Sequence, residues 1–169
     1  MTRNAPSISY QTFDEPPAAV LVVVDAGLEA HNQAAAPLGD VRPLAAIATL
    51  PSGEVIGGAV GRTWGACCEL QQLWVHPDRR RLGTASRLLQ EFERRGAARG
   101  CHTFYLTTLS FQAPEFYRKR GYSVVARISG YPDGIAKYLM QRQLPSEAPD
   151  ATPGVPHSPP HSPRTENGS

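Results

Sequence analysis

Apolar positions run along the chain with a period that changes several times, and each change predicts a different element. The run AAVLVVVDAGLEAHNQAAA from Ala18 follows Pro16 and Pro17, a pair suited to the start of a helix. Its apolar density predicts a buried helix ending near Pro37, while the β-branched Val22 to Val24 keep a strand open as the alternative. Three extended runs follow, Pro43 to Leu50, Glu54 to Trp64 and Cys67 to Val75. Pro51-Ser52-Gly53 and Gly65-Ala66 are short enough to join them as hairpins, so an antiparallel meander is expected.

From Thr84 to Arg99 the period becomes helical, with Leu88, Leu89, Phe92 and Gly96 on one face and Arg87, Glu91, Arg94 and Arg95 mostly outside it. After the Gly100 stop comes a strand from Cys101 to Leu109, which a helical crossover should place parallel to its predecessor. A short helix, Ala113 to Arg120, precedes two more extended segments, Tyr122 to Ile128 and Ile135 to Leu144, hinged at Tyr131-Pro132-Asp133-Gly134. The fold class is therefore α/β, a mixed sheet with an N-terminal antiparallel meander, one parallel crossover and a C-terminal hairpin, flanked by helices.

Beyond Leu144 the composition shifts to Pro, Ser, His and small residues, which cannot bury enough surface to offset the entropy of ordering. Residues 1–144 are expected to form one domain and residues 145–169 a disordered tail, in a chain of 169 residues without internal repeats. The formal charge of +2 is too small for a surface built to neutralise a nucleic-acid backbone. Cys67, Cys68 and Cys101 are odd in number and lack the spacing of a zinc site, so neither a disulfide framework nor a metal centre is expected. Neither a signal peptide nor a membrane span is expected, since the longest apolar run is Ala18 to Val24; the protein reads as cytoplasmic.

The stretch WVHPDRRRLGTASRLL, Trp74 to Leu89, lies where a strand gives way to a helix. A helix start carries unpaired N–H groups and the positive end of the dipole, which together favour an anion. Gly83 removes a side chain where a phosphate must approach the backbone, and Ala85 keeps the next approach narrow. The spacing is R-x-x-G-x-A from Arg80, neither a dinucleotide fingerprint nor a Walker loop.

This segment resembles the acyl-CoA pyrophosphate loop of the GNAT superfamily of N-acetyltransferases, whose pattern is Q/R-x-x-G-x-G/A. A second segment, SFQAPEFYRKRGY from Ser110 to Tyr122, resembles that family's N-x-x-A-x-x-F-Y-x-x-x-G-F/Y motif, with Ser110 in place of the usual Asn. The likeness extends from about Pro43 to Leu144 and is loose before that. It implies acetyl-CoA as cosubstrate, with the pyrophosphate held by the backbone N–H groups of Arg81, Leu82, Gly83, Thr84 and Ala85 and Ser86 capping nearby. Arg80 is implied as a phosphate contact, whereas Arg79 fits a phosphate or solvent equally well. Leu73, Trp74 and Val75 would run beside the pantetheine arm on a strand that splays from its parallel neighbour, the Leu73 amide facing the thioester carbonyl. Ser110 would stand where the family's Asn contacts CoA.

The resemblance also places Tyr117 near the CoA sulfur as general acid. Glu69 is the only carboxylate on the strand leading to the loop, and strand parity puts it on the face of Gln71 and Leu73. It is the candidate base, with a chain of waters as the alternative. His76, His102 and His31 are poorer candidates, and Cys67 and Cys68 have no triad around them, so direct transfer in a ternary complex is implied. A small-molecule primary amine is the expected acceptor, with a protein lysine or N-terminal amine as rival. A non-catalytic acyl-CoA binding module, and nucleic-acid binding through Arg79 to Arg99, are the other readings. A homodimer is compatible with the resemblance.

Overall fold

The structure, a computed structural model, describes residues 8–36 and 38–145. The tail beyond Pro145 and the helix stop at Pro37 lie outside the described residues. The elements in chain order are α1 (Ala18–Ala35), β1 (Arg42–Thr49), β2 (Val55–Trp64), β3 (Cys67–Val75), α2 (Thr84–Ala97), β4 (Thr103–Leu109), α3 (Pro114–Arg118), β5 (Ser123–Ile128) and β6 (Lys137–Gln143). Single 3-10 turns occupy Leu38–Asp40, Pro77–Arg79 and Pro132–Gly134.

The strands form one six-stranded sheet in the order β1-β2-β3-β4-β6-β5. β1, β2 and β3 are the antiparallel meander, joined by the two short turns their sequences predict. β3 and β4 are parallel, connected through α2. β6 inserts between β4 and β5 and is antiparallel to both, so the final strand, not the hairpin's first, joins the two halves of the sheet.

The core lies between the sheet and α2. Leu88, Leu89, Phe92 and Gly96 are the buried residues of that helix, the same face its periodicity marks. Gly96 is there because the helix crosses so close to the sheet: a Cβ at this position would stand 2.8 Å from the Cys68 Sγ and 3.0 Å from the Phe104 ring. Opposite the helix, Cys68, Leu70, Phe104, Leu106 and Met140 fill the sheet's inner face, each at most 4% exposed. Glu93, at the side of α2, accepts from the Tyr122 hydroxyl at 2.8 Å and pairs with Arg142 at 2.7 Å, tying the helix to the C-terminal strands.

The N-terminal expectation needs correction. Ala18–Ala35 is a helix rather than a strand, yet none of its residues is buried. Val22, Val23 and Val24 are 65, 71 and 60% exposed. Five consecutive apolar residues, Val20 to Val24, spread over the whole helix circumference instead of forming a stripe, so apolar density gives no face for a neighbour to cover.

Candidate active site

The site is built by a divergence of two strands. β3 and β4 pair only over Cys67 to Leu70 and Thr103 to Leu106. Beyond Leu70, β3 continues alongside β2 as far as Val75, and β4 continues alongside β6 as far as Leu109. The two therefore open into a V, and a cleft of about 880 Å³ occupies it, walled by Leu70 to Val75 on one side and by Leu106 to Thr108 and Phe111 to Ala113 on the other.

A β-bulge shapes the open arm. Val60 pairs with Gln72, but its neighbour Gly61 pairs with Leu70, which leaves Gln71 as the extra residue on β3. The bulge reverses the alternation of side chains. Leu73 lies opposite the fully buried Ala59 on the α2 face, and Val75 shares that face with Leu88. Glu69, paired with Arg62, lies on the opposite face. The parity expectation that placed Glu69 and Leu73 together is thus overturned, because it assumed an unbroken period of two.

Backbone direction in the open arm follows from one hydrogen bond. His76 donates its N–H to the Ile56 carbonyl at 2.8 Å, so the amides of Trp74 and His76 point towards β2. Those of Leu73 and Val75, by alternation, point into the V. The Val75 carbonyl on this side accepts from Arg80 Nε at 3.0 Å, which folds the Arg80 side chain over the mouth of the cleft.

The loop from Arg80 to Thr84 then enters α2. Arg81 and Gly83 both have positive φ, 63° and 83°. Gly83 takes this conformation freely, whereas Arg81 holds it under strain of the kind that gathers at ligand-binding turns. The amides of residues 81–85 find no acceptor among the described residues. Left-handed residues between right-handed ones turn successive N–H groups into a concave anion nest at the positive end of the helix. Leu82 is 69% exposed.

Ser86 does not cap the helix. Gly83 occupies the N-cap position with no side-chain cap, and the Ser86 hydroxyl instead accepts from Arg120 Nη2. Arg120 was not singled out in the sequence. Its guanidinium lies 3.5 Å from the Phe116 ring centre and also donates to the Phe116 carbonyl at 2.6 Å, pinning α3 to the first turn of α2. Only its place in the RKRG run after the aromatic pair could have pointed to it.

Tyr117 reaches the cleft from α3 and is 7% exposed. Phe116 and Tyr122 meet its ring edge-on at 5.1 and 5.8 Å. Burial pushes its phenol up to about 12, against a smaller downward pull from Arg120, so it stays protonated well above neutral pH. Ser110 is placed elsewhere: its hydroxyl accepts from the Ala136 N–H at 3.1 Å and its own N–H donates to the Ala136 carbonyl, so it fastens β4 to the start of β6. The cleft wall is instead closed by Gln112, whose Oε1 accepts from the Leu109 amide at 2.8 Å and from the Thr108 hydroxyl.

Glu69 is half-buried outside the V, one residue pair before the strands part. Its Oε2 accepts from Arg62 Nε at 2.7 Å and from Gln71 Nε2 at 3.3 Å. Gln71 itself lines the cleft, so the carboxylate is linked to it by one side chain. Cys68 and Cys101 are unsuited to attack: burial pushes the Cys68 thiol up to about 12 and raises that of Cys101. His76 caps the Pro77–Arg79 turn, accepting from the Asp78 amide, and His102 sits at the far end of β4.

A sheet that splits at a parallel pair, an anion nest at the next helix and a tyrosine over the split define an acyl-transferring class of fold. Residues 19–122 match the family described as Acetyltransferase (GNAT) family. A blasticidin-S acetyltransferase of Streptomyces morookaense is 37% identical over 112 residues, which span 64% of this chain and 82% of that protein. An acetyltransferase from Bacillus cereus superposes with a TM-score of 0.67 at 23% identity, over 79% of this chain and 98% of that one. The PaiA N-acetyltransferase of Thermoplasma acidophilum, solved with coenzyme A, gives a TM-score of 0.51 at 19% identity, over 61 and 62% of the two chains. The chain belongs to the GNAT acetyltransferase family and is an acyltransferase of that kind. Among the described residues, no helix is long and apolar enough to cross a membrane.

Proposed function

We propose that the protein transfers an acetyl group from acetyl-CoA directly to the primary amine of a small molecule. The observation that carries this reading is the V between β3 and β4, with unpaired strand edge along one arm and an anion nest at its mouth. A pantetheine arm is an extended chain of amides, and it would pair with the Leu73 and Val75 edge as an added strand while the nest and Arg80 take the pyrophosphate. The Leu73 N–H would donate to the thioester oxygen as negative charge develops there. The small-molecule acceptor is supported by the relative that acetylates blasticidin S.

The role of Tyr117 follows from magnitudes. Its phenol, near 12, is about 3.5 units above an ordinary thiol, so full proton transfer to the departing sulfur would be uphill by roughly 5 kcal/mol. Tyr117 therefore acts as a hydrogen-bond donor that stabilises the thiolate, and the proton lost by the amine ends on the sulfur or in solvent. Glu69 lies four residues before Leu73, about 10 to 13 Å along the strand at ~3.3 Å per residue. It would accept the amine's proton through water, which joins the two alternatives of a carboxylate base and a water chain.

The test is acetyl-CoA consumption over a panel of small amines, with wild type and Tyr117→Phe compared. We expect turnover of at least one amine and a 10- to 100-fold fall in kcat for the variant, with its Kd for acetyl-CoA within threefold of wild type. Acetyl-CoA binding without turnover of any amine would leave a binding module and overturn the proposal.

A further inference from the structure

Arg120 follows α3, and its half-buried side chain bridges that helix and the first turn of α2. α3 spans only Pro114–Arg118, too short to be held by helical hydrogen bonds alone. Backbone amides take the carbonyls of Glu115, Tyr117 and Arg118 at its C-terminal end, and the Phe116 carbonyl receives the Arg120 guanidinium instead, at 2.6 Å. The same group lies 3.5 Å from the Phe116 ring centre. Tyr117 is the next residue, and the Arg120 charge pulls its phenol downward against burial. Arg120 therefore fixes the turn on which Tyr117 stands.

The other arm of the guanidinium reaches α2, where Nη2 donates to the Ser86 hydroxyl. A hydroxyl that accepts still has its own proton to give, and the Ser86 O–H meets no acceptor among the described residues. Arg118 pairs with Glu115 and Arg142 with Glu93, but among the described residues no carboxylate pairs with Arg120. It is thus a half-buried cation at the positive end of a helix, where the dipole favours an anion and opposes a cation. The adjoining loop, with the amides of residues 81–85 unmatched, is where a compensating anion would lie.

Resting on the acetyltransferase reading above, we propose that Arg120 is a positioning residue that links phosphate binding at the α2 nest to the placement of Tyr117. Phosphate bound there offsets the Arg120 charge through the Ser86 hydroxyl, and the guanidinium so fixed holds α3 with the phenol turned to the thioester sulfur. The pyrophosphate is remote from the bond that breaks, yet its binding energy is in this way used to orient the group that acts there. Arg120 itself touches no reacting atom, so its effect on the transfer step passes through Tyr117.

The experiment compares two donors to the best amine of the panel: acetyl-CoA, and S-acetylpantetheine, the same thioester without phosphates. Arg120→Met keeps an apolar stem and removes the guanidinium. With acetyl-CoA it should raise KM at least fivefold and lower kcat at least tenfold. With S-acetylpantetheine it should leave kcat/KM within threefold of wild type, which also certifies that the variant is folded. In a Tyr117→Phe background the same substitution should lower kcat with acetyl-CoA less than threefold. Ser86→Ala should reproduce the rise in KM, and adding Arg120→Met to it should raise KM less than twofold further. Arg120→Lys, which restores the charge without the planar fork, should recover KM more fully than kcat. Equal losses on the two donors, or the same loss of kcat with and without the Tyr117 hydroxyl, would overturn the role of Arg120 and leave the acetyltransferase reading intact. Turnover of no amine by the wild type would overturn both.

Discussion

The two halves of β3 are built from one continuous strand and do different work. The lower half, Cys67 to Leu70, is bonded on both edges, and its inward side chains Cys68 and Leu70 are buried under α2. The upper half, Gln71 to Val75, is bonded on one edge and leaves the other open to the cleft. A bulged Gln71 stands between them. Where every backbone group has a partner the strand contributes stability, and where one row is unmatched it offers a template for another extended chain.

Substitutions that act below and above the bulge should separate these roles. The largest effect is expected below: Phe92→Ala, which empties the 1%-exposed ring position in the core, should reduce unfolding free energy by about 4 kcal/mol in urea titrations. Above it, Gly83→Glu should weaken acetyl-CoA binding at least 100-fold, about 2.7 kcal/mol, by calorimetry, since a carboxylate would face the pyrophosphate. If Gly83→Glu binds normally, the anion nest is not where the cosubstrate's phosphates lie.

Alkali should strike the lower and upper regions together through buried phenols. Tyr117 is raised to about 12 by burial and Tyr122 is raised further by burial and by Glu93, so the folded state resists losing these protons. Their contribution is fully present below the unfolded phenol value of about 10 and is lost as pH rises from there through 12. Stability measured by urea unfolding should therefore fall above pH ~10, and Tyr117→Phe should recover roughly 2 kcal/mol of the loss by pH ~12. The smallest effect is expected for Arg79→Ala, which is exposed: acetyl-CoA binding should weaken about threefold and lose that difference at high salt. A loss for Arg79→Ala larger than that for Gly83→Glu would mean that side-chain charge, not backbone N–H groups, holds the phosphates.

Period and punctuation were sufficient for the strands of the meander, for the face of α2 and for the parallel crossover. In each of these the local pattern and the tertiary environment agree. Leu88, Leu89, Phe92 and Gly96 are spaced for one helical face, and the sheet covers that face. The loop spacing and the aromatic pair after Ala113 likewise carried the family, because backbone conformation at Gly83 and helix entry are local matters. Three features depended on neighbours that the local pattern does not show. The hydroxyls of Ser86 and Ser110 accept from Arg120 and from the Ala136 amide, both distant in sequence. Burial of α1 was inferred from composition, and composition does not supply the partner that covers a helix.

The chain alone thus determined the strands after α1, the face of α2 and where the glycine-bearing turn into that helix falls, since these rest on φ/ψ preference and spacing within a few residues. Tertiary structure decided the rest. It placed β6 between β4 and β5, bulged β3 at Gln71, and so turned Glu69 to the face opposite Leu73, over a separate cavity rather than into the cleft between β3 and β4. The reason is physical: a bulge is set by the fit of one strand against its neighbour, here at Gly61, where a Cβ would come within 1.8 Å of the Glu69 carbonyl oxygen.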